Sequence, residues 1–107
     1  LKDIVDWNDD YDNFLMELEP ICYTWKEGED KRIHTGFGAQ TVKKLLQKFT
    51  MSSALVHGSE KKTYGLAYSE FHAMEIAAIQ KNRKMIQELQ KQILELQDEL
   101  KQLKGGE

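Results

Sequence analysis

A heptad repeat near the C-terminal end constrains this chain more than any other feature. Ile and Leu recur there with alternating spacings of three and four. This alternation is typical of a coiled coil with Ile mostly at position a and Leu mostly at d. Only two residues per heptad form the seam, whereas a helix packed on its own core usually shows a broader apolar stripe. The sequence therefore predicts a helix that associates with copies of itself through Ile79, Asn82, Ile86, Leu89, Ile93, Leu96, Leu100 and Leu103.

The heptads alone leave the number of strands open. Ile at a with Leu at d favours a parallel dimer. The flanking positions decide little, because only Glu99 and Lys104 offer an interchain ion pair. Asn82 is the single polar residue of the seam, and we expect it to fix the register at a cost in stability. In a three-stranded coil, three such amides could surround a water molecule or an anion.

The composition changes near Tyr68, which indicates two structural parts. Residues 1–67 hold five of the seven Gly and the only Pro, whereas residues 68–104 contain neither. We therefore predict an α+β chain with a small globular part over residues 1–67. One long helix follows over residues 68–104, with its coiled coil from residue 79, and residues 105–107 form a tail.

Short elements are predicted within the globular part. Apolar residues spaced i, i+3, i+4, i+7 predict helices over residues 8–18, capped by Asn8 or Asp9, and around residues 42–49. Alternation predicts a hairpin of strands near residues 21–25 and 32–37, and a second hairpin joins residues 54–56 to 63–68. The start of the long helix, including Phe71, Ala73, Met74 and Ile76, is expected to be buried among them. So small a core is marginal alone, which is a second reason to expect an oligomer.

Composition excludes several classes of function. The net charge is −3 with acids and bases mixed, so no basic stripe predicts nucleic-acid binding. The cluster Lys43, Lys44 and Lys48 is predicted to be a solvated helix face. No apolar run approaches the roughly 20 residues that span a bilayer. The chain begins at Leu1 and not at Met, so we expect it to be part of something longer.

The sequence predicts no cofactor and no metal. It holds no Gly-rich phosphate loop, and its three His, at positions 34, 57 and 72, are scattered. An independent small-molecule enzyme is therefore disfavoured. The one cysteine, Cys22, excludes an intrachain disulfide and is predicted to be a buried free thiol.

Two motifs in the globular part resemble a known family. Residues 18–26 read L-x-P-x-x-Y-x-W-K and residues 34–40 read H-x-G-F-x-A-Q, and they are followed by residues 65–68 and the terminal coil. In this order they resemble the intramolecular chaperone auto-processing domain that ends bacteriophage tail spikes, tail fibres and neck appendages.

The resemblance implies a parallel trimeric coiled coil and a homotrimer, in place of the dimer that the heptads favour. Such a domain templates the folding of the fibre segment that precedes it in the same chain and then cuts itself off. Its expected setting is the host cytoplasm during phage assembly, with the parent protein in the virion tail or an appendage. No nucleic acid, membrane or cofactor is implied.

The resemblance also implies a self-cleaving serine endopeptidase that acts once in cis. A serine attacks the peptide bond on its own N-terminal side, and a lysine five residues later is the general base. Lys2 matches that lysine, and the serine would lie four residues before Leu1. The present chain is then the released product.

His34 and Gln40 would orient groups or stabilise an oxyanion near the scissile bond. The alternative for His34 is a strand histidine without a catalytic role, bonded to a backbone carbonyl. The alternative for Lys2 is a solvated terminal lysine. A permanent trimerisation or dimerisation module without catalysis is the alternative function.

Overall fold

The computed structural model describes residues 1–59 and 64–105. Two compact units are present, Leu1–Glu75 and Ile76–Glu107. The structure has short helices, two small hairpins and a long C-terminal helix, which confirms these elements of the predicted α+β fold. In chain order the elements are α1 (Tyr11–Met16), β1 (Ile21–Tyr23), β2 (His34–Gly36), α2 (Ala39–Lys48), β3 (Val56–His57), β4 (Gly65–Leu66), a 3₁₀ turn (Tyr68–Glu70) and α3 (Phe71–Gly105).

Helix α1 is shorter than predicted and begins later. Asp10, and not Asn8 or Asp9, occupies its N-cap position, and no side chain caps the helix there. The Asn8 side chain instead accepts a hydrogen bond from the backbone N–H of Asp10 at 2.9 Å, which forms a local turn before the helix. The helix buries Phe14.

The first predicted hairpin is confirmed. Strand β1 pairs antiparallel with β2, so that Ile21 faces Gly36 and Tyr23 faces His34. Between the strands the chain turns at Gly28, whose φ of 98° lies in the left-handed region that glycine tolerates. Both strands end earlier than the alternation predicted.

The second hairpin is also confirmed in its described residues. Val56 of β3 pairs with Leu66 of β4, and His57 pairs with Gly65. The predicted second strand began at residue 63, which lies outside the described residues, as do residues 60–62.

A small apolar core joins the helices of the first unit. Within residues 1–59 and 64–105, its buried members are Phe14, Val42, Leu46, Leu55, Phe71 and Met74. Phe71 and Met74 come from the first turn of α3, so the long helix begins as part of this core. The i, i+3, i+4 pattern of α2 likewise buries Val42 and Leu46.

Three predicted burials are wrong. Ala73 and Ile76 are exposed, because α3 turns only one face toward the core and Phe71 and Met74 occupy that face. Cys22 is exposed as well. In a strand, neighbouring side chains point to opposite faces, so Cys22 lies on the face opposite to that of Ile21 and Tyr23.

No helix in the described ranges 1–59 and 64–105 is long and apolar enough to cross a membrane.

Phe14→Ala should destabilise the first unit by about 3 kcal/mol or more, because it removes a ring with no exposed surface and leaves a cavity. Met16→Ala, two residues away on the same helix and 83% exposed, is the matched control and should change the free energy of unfolding by less than about 0.5 kcal/mol. Urea denaturation at one fixed protein concentration measures both. Equal effects of the two variants would contradict this account of the core.

Candidate functional site

His34 lies on β2 in an ordered aromatic setting. Its ring stacks on Tyr23 of the paired strand, with ring centroids 5.5 Å apart and planes 23° from parallel. Trp25 lies near the same ring, at a centroid distance of 6.1 Å. The His34 side chain is half-buried, and its Nε2 lies 2.9 Å from Oδ2 of Asp30. The partner of His34 is therefore a carboxylate and not the backbone carbonyl that we considered from the sequence.

Asp30 is itself fixed by Arg32. The Asp30 carboxylate accepts hydrogen bonds from Nε and Nη2 of Arg32, at 3.0 and 3.2 Å, and from the Arg32 backbone N–H at 2.9 Å. These bonds hold the pKa of Asp30 well below its usual range. The Arg32 guanidinium has the largest effect, the Arg32 backbone N–H the next, and His34 adds a smaller one. The same pairing raises the pKa of Arg32. Asp30 therefore carries a fixed negative charge beside His34.

The other two predicted site residues lie elsewhere on the unit. Lys2 is exposed in the N-terminal segment, which has no helix or strand before α1. Gln40 is exposed in the first turn of α2. Among the described residues neither side chain hydrogen-bonds to His34. A joint role for Lys2, His34 and Gln40 stays a prediction.

Sequence analysis missed the contacts of Asp30, which it treated as a turn residue, and of Arg32, which it placed in the second strand. The available signal was their spacing, because Asp30 lies four residues before His34 and two before Arg32. A hairpin end can place such residues together only if the loop folds back, and that depends on the conformation of the whole loop.

The two hairpins flank an open groove of about 480 Å³. Its walls are apolar and aromatic, so it offers a surface for apolar side chains. Its lining consists of Ile21, Tyr23, Trp25, Phe37, Ala39, His57, Tyr64, Gly65, Leu66 and Tyr68. Tyr23 and Trp25, which contact His34, form part of this wall.

The Tyr68 side chain forms hydrogen bonds with the segment that follows β2. Its hydroxyl accepts a hydrogen bond from the Phe37 backbone N–H at 3.1 Å and donates to the Phe37 carbonyl at 3.5 Å. A Cβ atom on Gly36 would overlap that hydroxyl, so only glycine permits this approach. This explains why glycine precedes the aromatic residue in the second motif.

The basic cluster on α2 is only partly solvated. Nζ of Lys43 donates to the Tyr64 hydroxyl at 2.7 Å and lies 4.4 Å from the centre of that ring. Lys48 pairs with Glu17 of the α1 C-cap. The predicted solvated face is therefore wrong for Lys43, while Lys44 is exposed.

In a single chain the heptad seam is exposed to solvent along α3. The exposed fractions of its Ile and Leu side chains lie between 54 and 72%. These residues are Ile79, Ile86, Leu89, Ile93, Leu96, Leu100 and Leu103. Exposed apolar rows of this kind, which only Asn82 interrupts here, are typical of surfaces for association.

Residues 1–59 and 64–105 contain no group of His, Cys, Asp and Glu side chains that could hold a metal ion.

The family model described as the chaperone of endosialidase matches residues 1–51, just under half of the chain. The match includes both motif segments and Lys2, His34 and Gln40, and it confirms the resemblance seen in the sequence. No curated protein and no solved structure matches the chain significantly.

Gly36→Ala should lower the melting temperature clearly, because the added methyl group overlaps the Tyr68 hydroxyl. Tyr68→Phe should cost about 1 kcal/mol through its lost hydrogen bonds. The double variant should cost less than the sum of the two, because removing the hydroxyl makes room for the methyl group. Denaturation of all four proteins in a double-mutant cycle measures this coupling, and strictly additive effects would contradict the predicted contact.

Proposed function

We propose that this chain is a C-terminal intramolecular chaperone that trimerises, templates the folding of a preceding phage fibre or appendage segment, and is then released by Ser–Lys self-cleavage. The observation that carries the proposal is the family match at residues 1–51 in a chain whose α3 exposes an unbroken heptad seam. The expected setting is the host cytoplasm during virion assembly, with the parent protein in the tail or an appendage.

The seam supplies the driving force for association. Its Ile and Leu side chains are each more than half exposed in the single chain. Burying the remaining apolar surface contributes about 1 kcal/mol per side chain. Over the Ile and Leu side chains of the seam in three chains this sum is about 20 kcal/mol, which is comparable with the cost of two association steps at roughly 4–15 kcal/mol each in translational and rotational freedom.

Asn82 supports a parallel arrangement in register. In a parallel coil Asn82 lies at the same level as its copies, so the amides can bond to one another. In an antiparallel coil of residues 79–103 it would face apolar residues near the opposite end, and its amide would lack a partner. We follow the family in proposing three strands, because the first unit and the start of α3 can override the preference of the heptads for two.

Exposed apolar residues of the first unit support an oligomer as well. Leu1, Ile4, Val5, Trp25 and Ile33 are all exposed in the single chain. A unit with six buried apolar residues in its described part has little core of its own. Contacts with copies or with the preceding segment would cover this surface.

Trimeric fibres give a physical reason for such a clamp. Their contacts are largely non-local, so they fold slowly and expose aggregation-prone surfaces while they do so. A compact trimer at the C-terminus raises the effective concentration of the three preceding segments and sets their register. The assembled fibre unfolds only very slowly, so it keeps its structure after the chaperone is released.

The cleavage step uses a hydroxyl nucleophile and an amine base. The serine Oγ attacks the carbonyl carbon of the preceding residue, and Nζ of Lys2 takes the hydroxyl proton. The C–N bond breaks, the nitrogen leaves protonated as the new N-terminus of the chaperone, and an ester joins the fibre to the serine. Water hydrolyses that ester, which restores the hydroxyl and leaves a carboxylate on the fibre.

Lys2 requires different surroundings from those in the single chain. A lysine acts as a base near neutral pH when burial or a nearby cation disfavours its charged form. Lys2 is exposed in the single chain. The proposal therefore has the assembled trimer, or the preceding segment, cover Lys2, so that cleavage follows assembly.

The alternative of a permanent oligomerisation module is distinguished by one residue. A serine four residues before Leu1, followed by aspartate, supports self-cleavage. Any other residue at the serine position supports the module without catalysis.

Ile93→Asp should weaken self-association at least tenfold, because it places carboxylates together in the seam. Leu94→Asp is the matched control, since Leu94 is 62% exposed but lies outside the seam, and it should leave association unchanged. Sedimentation at micromolar concentration should show the wild type at three times the chain mass of 12.5 kDa. A well-folded wild-type monomer there would refute the proposed trimer.

Lys2→Ala should slow self-cleavage about 100-fold or more when the chain is expressed with its preceding segment, because the serine loses its base. Lys2→Arg should be equally slow, since a guanidinium does not release its proton. Lys91→Ala, an exposed lysine on the outer side of the coil, is the control and should cleave like the wild type. The products are separated on a denaturing gel, and normal cleavage in either Lys2 variant would exclude Lys2 as the base.

A further inference from the structure

We propose that Asp30 is a positioning residue that fixes the orientation of His34 for self-cleavage, and that Nδ1 is the His34 nitrogen that acts in the reaction. The inference rests on the proposed function and deepens it. It assigns roles to a carboxylate and to one ring atom, neither of which follows from the motifs in the sequence.

Arg32 fixes the Asp30 carboxylate, and this carboxylate in turn contacts His34. Three hydrogen bonds from Arg32, two from its guanidinium and one from its backbone N–H, converge on the two Asp30 oxygens. A guanidinium fork of this kind fixes both the position and the plane of a carboxylate. The Asp30 oxygen that faces His34 therefore has little freedom to move.

The imidazole is held at one edge and on one face. Asp30 lies 2.9 Å from Nε2 at the edge, and Tyr23 stacks on the face with centroids 5.5 Å apart. Together these contacts restrict both side-chain torsions of His34. Preorganisation of this kind is what a group near a reacting carbonyl requires, because small misplacements cost large factors in rate.

One nitrogen is left for chemistry. Because Asp30 is a carboxylate that accepts, Nε2 carries the hydrogen, and the neutral ring has its lone pair at Nδ1. Within residues 1–59 and 64–105, no hydrogen bond engages Nδ1. This is the arrangement in which a carboxylate sets the tautomer of a histidine while its other nitrogen faces a substrate.

The test compares Asp30→Asn with Glu29→Gln and His34→Ala in the full chain with its preceding segment. Asp30→Asn keeps an oxygen that can accept from Arg32, so the hairpin should stay folded. We expect self-cleavage at least tenfold slower in Asp30→Asn, and slower still in His34→Ala. Glu29→Gln removes a neighbouring exposed carboxylate and should cleave like the wild type.

Nitrogen-15 NMR of His34 in the released chain provides a second readout that does not depend on cleavage. The wild type should show the Nε2–H tautomer, and Asp30→Asn should show a mixture. Cleavage of Asp30→Asn at the wild-type rate, normal cleavage of His34→Ala, or an Nδ1–H tautomer in the wild type would each overturn the inference while leaving self-cleavage intact. Absence of cleavage in the wild type itself would instead overturn the proposed function, and the inference with it.

Discussion

The burial of one narrow row of Ile and Leu is the interaction on which the rest of this molecule depends. Along α3 that row is more than half exposed in a single chain, and water disfavours so much contiguous apolar surface. A second row on another element of the same chain would be one solution, but the two-residue width of the seam fits identical helices better. The proposed association of copies would cover this surface.

The same helix also serves the globular unit. Its first turn contributes Phe71 and Met74 to a core whose other described members come from α1, α2 and the segment before β3. Anything that binds the folded state alone stabilises that state by mass action. Association of the seam should therefore stabilise the core that α3 helps to form. In the proposed trimer, folding of this core would therefore be coupled to the meeting of three chains.

The hairpin around His34 shows how a small unit can orient a side chain without a large core. Stacking on Tyr23 and a carboxylate fixed by Arg32 orient the ring, and neither contact requires deep burial. Tyr68 secures the chain just after β2 through the Phe37 backbone. The precision of this region thus comes from directional contacts, and the exposed Lys2 would acquire its surroundings only on assembly.

Local periodicity in the sequence determined the helices, the two hairpins and the seam, because side-chain spacing records which face of an element is buried. The motifs at residues 18–26 and 34–40 carried the resemblance, and the family model matches the segment that contains both. Tertiary structure alone decided that Asp30, itself bound by Arg32, contacts His34. It also decided that Lys43 bonds to the Tyr64 hydroxyl and that Cys22 is exposed. These outcomes depend on how a ten-residue loop folds back and on which face of a short strand is covered. Both are set by contacts between segments distant in sequence or by whole-loop conformation, which no local pattern encodes.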